Sequence, residues 1–141
     1  MSKIKIKLVD KIFSDCVRER AGWTCERCGS FKPVGQRMGL HCSHFHGRGN
    51  WSTRFDPDNC ESLCYGCHQH LGSNPHEHKD RIRRRLGDFA FDLLLERAND
   101  TTIGRLARRS EKEIRVHYRA ELARMCAARA SNPENKIELI N

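Results

Sequence analysis

Four of the eight cysteines in this 141-residue chain stand as two Cys-x-x-Cys pairs, Cys25 with Cys28 and Cys64 with Cys67. Two residues between thiols let both sulfurs of a pair reach one ion, and two such pairs supply the four thiolates of a tetrahedral Zn²⁺ site. Any fold of this chain must therefore bring residues 25–28 beside residues 64–67. Four sulfur ligands leave no open coordination position, so such a zinc is structural and chemistry has to come from elsewhere. The 35 residues between the pairs exceed the span of a simple zinc ribbon, which implies an inserted element clamped between the two knuckles. A redox role for either pair lacks the surrounding βαβ pattern. The start, MSKIKIKLVDK, has no apolar block of signal-peptide length, so a secreted disulfide framework is not expected and the protein should stay where it is made. Cys16, Cys42, Cys60 and Cys126 lack ligand spacing and read as small buried side chains.

Hydrophobic periodicity sets the rest of the framework. Asp10 to Arg20 reads as a helix, with Asp10 as N-cap, Ile12, Phe13, Cys16 and Val17 on one face, and Gly22 ending it. Leu40 to Phe45 is a candidate strand, and a second short strand is expected near Trp51 to Phe55 inside the Gly-, Asn-, Asp- and Pro-rich connection. From Cys60 a helix is expected to carry Cys64, Cys67 and His68 and to stop before Gly72. Further helices are predicted over Arg81 to Leu86, Asp88 to Ala98 and Thr102 to Ala130, the last with a break where Ser110 and Glu113 form a capping-box pattern.

Charge narrows the class of partner. The chain has 26 Lys and Arg against 18 Asp and Glu, a net +8, and residues 79 to 130 hold 14 of the basic and 8 of the acidic residues. Such a surplus favours a polyanion, usually nucleic acid, and no stretch is apolar enough for a membrane span. Arg81, Arg83, Arg84 and Arg85 form one cluster, and Arg105, Arg108, Arg109, Lys112, Arg115 and Arg119 follow on the later helices. Groups of this kind neutralise phosphates irrespective of sequence, and no base-reading helix-turn-helix is evident.

Between and just after the knuckles stand His41, His44, His46, Asn59, His68 and His70. The register of His44, Asn59 fifteen residues on and His68 nine residues later, directly after the second knuckle as LCYGCH, resembles the HNH (ββα-metal) nucleases. The segments SHFHGRG, RFD, the following Asn and CYGCHQHLGSN are also similar to GHYxxRG, LRF, N and CxxCNxHxSGN of the phage recombination endonuclease family Rap/NinG. That resemblance covers roughly residues 10 to 90. It implies an endonuclease, Asn59 bonded to backbone across the connecting loop, and branched substrates such as Holliday junctions or D-loops. A homodimer could cut such substrates symmetrically.

The residues suit that chemistry. An imidazole can accept a proton from water at neutral pH, which fits His44 as general base. His68 can present a nitrogen to a catalytic Mg²⁺ or Mn²⁺ that stabilises charge on the phosphate. Many HNH enzymes carry Asp or His immediately before the base, but Ser43 stands there. His41, His46, Asp56 and Asp58 are the candidates to complete the shell. Arg48 in HGRG can hold a phosphate through its planar fork. His76, His78 and His117 lack this register and read as ordinary histidines.

The expectation is a single α+β domain over residues 1–141: a zinc-anchored ββα-metal core over 10–87 with an N-terminal helix, and a C-terminal basic helical arm over 88–130. It is expected to act on DNA, in the cytoplasm of the bacterial host if phage-derived. Two alternatives keep the same zinc fold: a non-catalytic DNA-binding module, motivated by Ser43, and an HNH nicking or restriction-type nuclease.

Overall fold

A computed structural model describes residues 3–132 and 138–141; Met1, Ser2 and residues 133–137 of the expected span lie outside the described residues. The first helix, α1 (Leu8–Arg20), starts where the Asp10 carboxylate accepts the Lys7 backbone N–H at 2.7 Å. Asp10 thus lies in the first turn and Lys7 is the N-cap, a correction of the sequence expectation. An acidic group in the first turn satisfies a free N–H as well as a capping residue would. Beyond Ala21 the chain reverses through Gly22 and Trp23, both at positive φ, and this turn delivers Thr24 to the first knuckle.

Strand β1 (Leu40–His44) pairs antiparallel with β2 (Cys60–Cys64), from Leu40 opposite Cys64 to His44 opposite Cys60. The second strand thus lies at Cys60–Cys64, where a helix was expected, and Trp51 to Phe55 forms turns. Periodicity cannot separate helix from strand over CESLC; the pairing to β1, with Cys60 to Leu63 all buried, decides it. A single 3-10 turn, Pro57–Asn59, leads into β2, started by Asp56 accepting the Asp58 N–H. Helix α2 (Tyr65–Ser73) follows at once, with the Cys64 sulfur accepting the Cys67 N–H as its N-cap.

Pro75 at the first turn opens α3 (Pro75–Leu86), and Gly87 at φ 82° ends it and turns the chain into α4 (Asp88–Asn99). Asp100 caps α5 (Thr101–Arg109). The predicted break at Ser110 separates it from α6 (Glu111–Ser131), but Ser110 makes no side-chain cap hydrogen bond, so the capping box does not form. Six helices and one two-stranded sheet give a mixed α+β architecture among the described residues.

Three apolar clusters hold these elements. α1 packs along α6, placing Phe13, Cys16 and Val17 with Tyr118 and Met125, and one face of the hairpin adds Cys42 and Cys60. Trp23, Leu40, Leu63 and Leu71 surround Cys25 and Cys67 at the knuckles. Ile82, Phe91 and Leu94 join α3 to α4, with Phe45 from the end of β1 packed against them. The hairpin is therefore gripped by α1 and α6, by the knuckles and by the α3–α4 pair. Among the described residues no helix is long and apolar enough to cross a membrane.

Candidate functional site

The four sulfurs of Cys25, Cys28, Cys64 and Cys67 lie within 4.8 Å of one another. Cys25 comes from the turn after α1, and Cys64 and Cys67 come from the β2–α2 junction, so the knuckles meet because β1 and β2 pair. Backbone N–H groups point at the sulfurs, Cys28 to Cys25 at 3.5 Å and Cys67 to Cys64 at 3.4 Å, and Arg27 Nη1 reaches Cys67 at 3.4 Å. Burial would raise the Cys25 thiol, but N–H donors of Cys28, Cys64 and Arg27 outweigh it and bring it down to about 7. Burial, with the neighbouring thiols, pushes the Cys67 thiol the other way, up to about 12. Four convergent sulfurs fit Zn²⁺, whose binding displaces their protons.

His44 ends β1. Its Nε2 lies 2.9 Å from the Arg54 carbonyl, which can only accept, so Nε2 carries the proton and the Nδ1 lone pair is left as acceptor. Burial, and then the positive charge of Arg48, pull its pKa down to about 4, against weaker opposite effects of the Arg54 carbonyl and Asp10. The ring is neutral at any physiological pH. Arg54 is itself fixed: only 3% exposed, it donates to both Asp10 oxygens at 2.9 and 2.7 Å and to the Lys5 carbonyl at 3.0 Å. Burial would raise the Asp10 carboxyl, but Arg54, the Lys7 N–H and Arg48 hold it below its usual range. Arg48 Nε is 3.7 Å from Asp10 Oδ1 and otherwise has no hydrogen-bond partner among the described residues.

Asn59 is fully buried and locks the connecting loop. Its Oδ1 accepts the His46 N–H at 2.8 Å, and its Nδ2 donates to the carbonyls of His46 at 2.9 Å and Thr53 at 3.1 Å. Phe45 N–H also bonds the Asn59 carbonyl at 2.8 Å, extending the pairing one step past His44.

His68 lies half-buried in the first half of α2, its ring centroid 5.2 Å from that of His41. Burial, followed by the charges of His41, His78 and Arg48, lowers its pKa. Arg48 thus influences both His44 and His68. Of the residues expected to complete a cation shell, Asp56 and Asp58 are engaged by Arg97 at 2.7 and 3.1 Å. His46 is half-buried beside the Asn59 brace, and Ser43 is 2% exposed opposite Glu61. His70 pairs with Glu77 at 2.5 Å on the exposed side of α2. Among the described residues no group of three acidic or histidine side chains converges around His68.

The arginine cluster divides in two. Arg81 Nη2 bonds Glu61 at 2.8 Å and the Glu26 carbonyl at 3.2 Å, and Arg85 bonds the carbonyls of Cys60, at 2.8 Å, and Asp58. Both brace β2. Arg83 lies over the Phe91 ring at 4.8 Å beside exposed Asp88, and Arg84 contacts only the Asp80 carbonyl one turn back, leaving these two accessible.

The profile of the family described as Bacteriophage Lambda NinG protein matches residues 2–127. The chain belongs to the NinG family. No curated protein and no solved structure matches it. The NinG match runs through both knuckles, His44, Asn59, His68 and the helices as far as Ala127 on α6, well beyond the segment whose motifs carried the resemblance.

Sequence reasoning missed the Asp10–Arg54 pair, although RFD was among the segments that marked the family resemblance. It also set aside His78, which stacks edge-on against Phe45 at 5.1 Å with its Nε2 buried and without a partner among the described residues. Nothing in the local sequence around Asp10 or His78 signals either position.

Proposed function

We propose that this NinG-family chain is a metal-dependent DNA endonuclease of the HNH (ββα-metal) type, acting on branched intermediates such as Holliday junctions or D-loops in phage recombination. The observation that carries the reading is the state of His44: its Nε2 proton is committed to the Arg54 carbonyl, which leaves Nδ1 as the unprotonated nitrogen at the end of β1. A neutral imidazole held in one tautomer suits the removal of a proton from water. Two antiparallel strands running directly into a helix, with His44 ending the first and His68 four residues after the second, support the ββα-metal assignment.

In this reading His44 Nδ1 takes the proton of the attacking water, Asn59 keeps the loop and strand in register, and Arg48 turns its guanidinium from Asp10 to a phosphate oxygen. A divalent cation at His68 would stabilise charge on the phosphate and on the departing 3′ oxygen. Its remaining ligands would come from water and phosphate, the habit of Mg²⁺, because no acidic shell converges there among the described residues. The tetrathiol holds structural zinc. Arg83, Arg84 and the exposed basic residues of α5 and α6 meet flanking phosphates.

A non-catalytic DNA-binding module is favoured by one observation, the buried Ser43 where a charged ligand would stand. The experiment that separates the two is cleavage of linear, nicked and four-way-junction DNA with Mg²⁺ or Mn²⁺. His44→Ala should lower the rate by about 10²-fold or more while retaining DNA affinity. His68→Ala should lose activity that added cation partly restores. Products should carry 5′-phosphate and 3′-hydroxyl ends. Wild-type rates for His44→Ala, or no metal-dependent cleavage by the wild type, would leave only the binding module.

A further inference from the structure

The hairpin pairing that creates the zinc knuckles also assembles a second group of donors. Cys42 and His44 are two residues apart on β1 and share a face, and Cys60 is directly opposite His44 on β2. The candidate ligand atoms of the three lie within 4.8 Å of one another, with Cys42 7% and Cys60 0% exposed. We propose that Cys42, His44 and Cys60 form a second metal site, selective for a thiophilic divalent ion such as Zn²⁺ or Cd²⁺, whose occupation removes His44 from catalysis. The ligand set does not depend on the nuclease reading; the inhibitory consequence does.

Three features go beyond three small residues sharing a core. Tetrahedral zinc has ligands at about 2.0–2.3 Å, so donors already within 4.8 Å of one another need only small side-chain movements to close on one ion. The Arg54 carbonyl accepts from Nε2 the hydrogen bond that metal-bound imidazoles ordinarily give from their second nitrogen, which leaves Nδ1 as the nitrogen to hold the ion. Two thiols and an imidazole favour zinc, cadmium or cobalt over Mg²⁺ and Mn²⁺, which prefer oxygen. Each thiol releases its proton to solvent on binding. Three protein ligands leave a fourth position for water, unlike the closed tetrathiol centre. A metal on Nδ1 occupies the lone pair that would accept a proton from water, so excess zinc should inhibit where Mg²⁺ activates.

The test begins with protein carrying one zinc in the tetrathiol site, titrated with Co²⁺. One further equivalent should bind and produce thiolate-to-cobalt charge-transfer absorption. The band should be lost in Cys42→Ala and in Cys60→Ala and kept in Cys126→Ala, which removes an exposed thiol elsewhere. Absence of the band from wild type overturns the site without reliance on any variant, as does an undiminished band in folded Cys42→Ala. Mg²⁺-dependent junction cleavage should then fall as zinc beyond the first equivalent is added, recover with a mild chelator, and resist zinc in Cys60→Ala relative to that variant's own zinc-free rate. Cleavage persisting at full occupancy overturns the inhibitory role. A cobalt band in a protein that cuts no DNA under any condition supports the metal site and removes the nuclease reading instead.

Discussion

Replacing Asn59 with Ala would test whether one buried amide holds the connecting loop to the hairpin. The substitution removes three hydrogen bonds at once, one accepted from His46 N–H and two donated to the His46 and Thr53 carbonyls, at a side chain with no exposed surface. The His46 N–H and carbonyl are left without a partner at about 1–3 kcal/mol each, while the Thr53 carbonyl keeps the Asp56 N–H at 3.2 Å, so the sum is about 2–6 kcal/mol. A whole domain has only about 5–15 kcal/mol of net stability, so the variant should be close to unfolding. With a urea slope of about 1–3 kcal/mol per molar, the midpoint should drop by roughly 2 M. Asn50→Ala is the comparison: that half-buried side chain also bonds backbone, to Ala98 O at 2.9 Å and from Ser52 N at 3.1 Å, but water can replace it, and about 1 kcal/mol is expected. Urea melts of both variants followed by far-UV circular dichroism decide the matter. A loss below about 1 kcal/mol for Asn59→Ala, or equal losses for the two, would refute the reasoning that Asn59 braces the loop.

Three further predictions follow from the same geometry. Cys64→Ser should lose zinc and unfold the hairpin, because this sulfur is both a ligand candidate and the cap of α2; elemental analysis and circular dichroism check it, and a folded, zinc-containing variant would contradict it. Replacing Arg83 and Arg84 with Ala should flatten the slope of log affinity against log salt for DNA by up to about 2, whereas Arg85→Ala should chiefly destabilise the fold; an unchanged slope in the double variant would move the DNA surface elsewhere. His44 protonates at about 4 in the fold and near 6.5 when free, so between these values the unfolded chain binds the extra proton and stability falls as pH falls, by about 3 kcal/mol in all, its contribution being fully present above pH 6.5. Urea midpoints of zinc-loaded protein without added divalent cation should decline across that window, and His44→Gln should decline less; parallel curves would assign the dependence to other groups.

The parts legible in the sequence are those whose chemistry is encoded by spacing along the chain. Two Cys-x-x-Cys pairs announce a tetrathiol wherever they meet, and the knuckle that places Cys64 and Cys67 necessarily places His68 beside them. The helical periods of α1, α4 and α6 were readable for the same reason, since each buries a single stripe. β2 was not readable: CESLC buries both faces, so it lacks the alternation that would mark a strand, and only pairing with β1 makes it one. The arginines failed differently. Arg81, Arg83, Arg84 and Arg85 look equivalent in sequence, yet a helix points them in different directions: Arg81 finds Glu61, Arg85 the Cys60 carbonyl and Arg83 the Phe91 ring, while Arg84 bonds only the Asp80 carbonyl one turn back. What sets the tautomer of His44 was least visible, because it depends on Arg54 in the loop finding Asp10 on α1, 44 residues away. That pair fixes the carbonyl that holds the His44 tautomer and leaves Arg48 only loosely engaged at 3.7 Å. An arginine placed beside a carboxylate but not bonded tightly to it can exchange that partner for a phosphate at small cost, whereas Arg54, bound at both Asp10 oxygens, cannot. The two arginines therefore differ in kind: Arg54 ties the loop to α1, and Arg48 is the one left free to change partner.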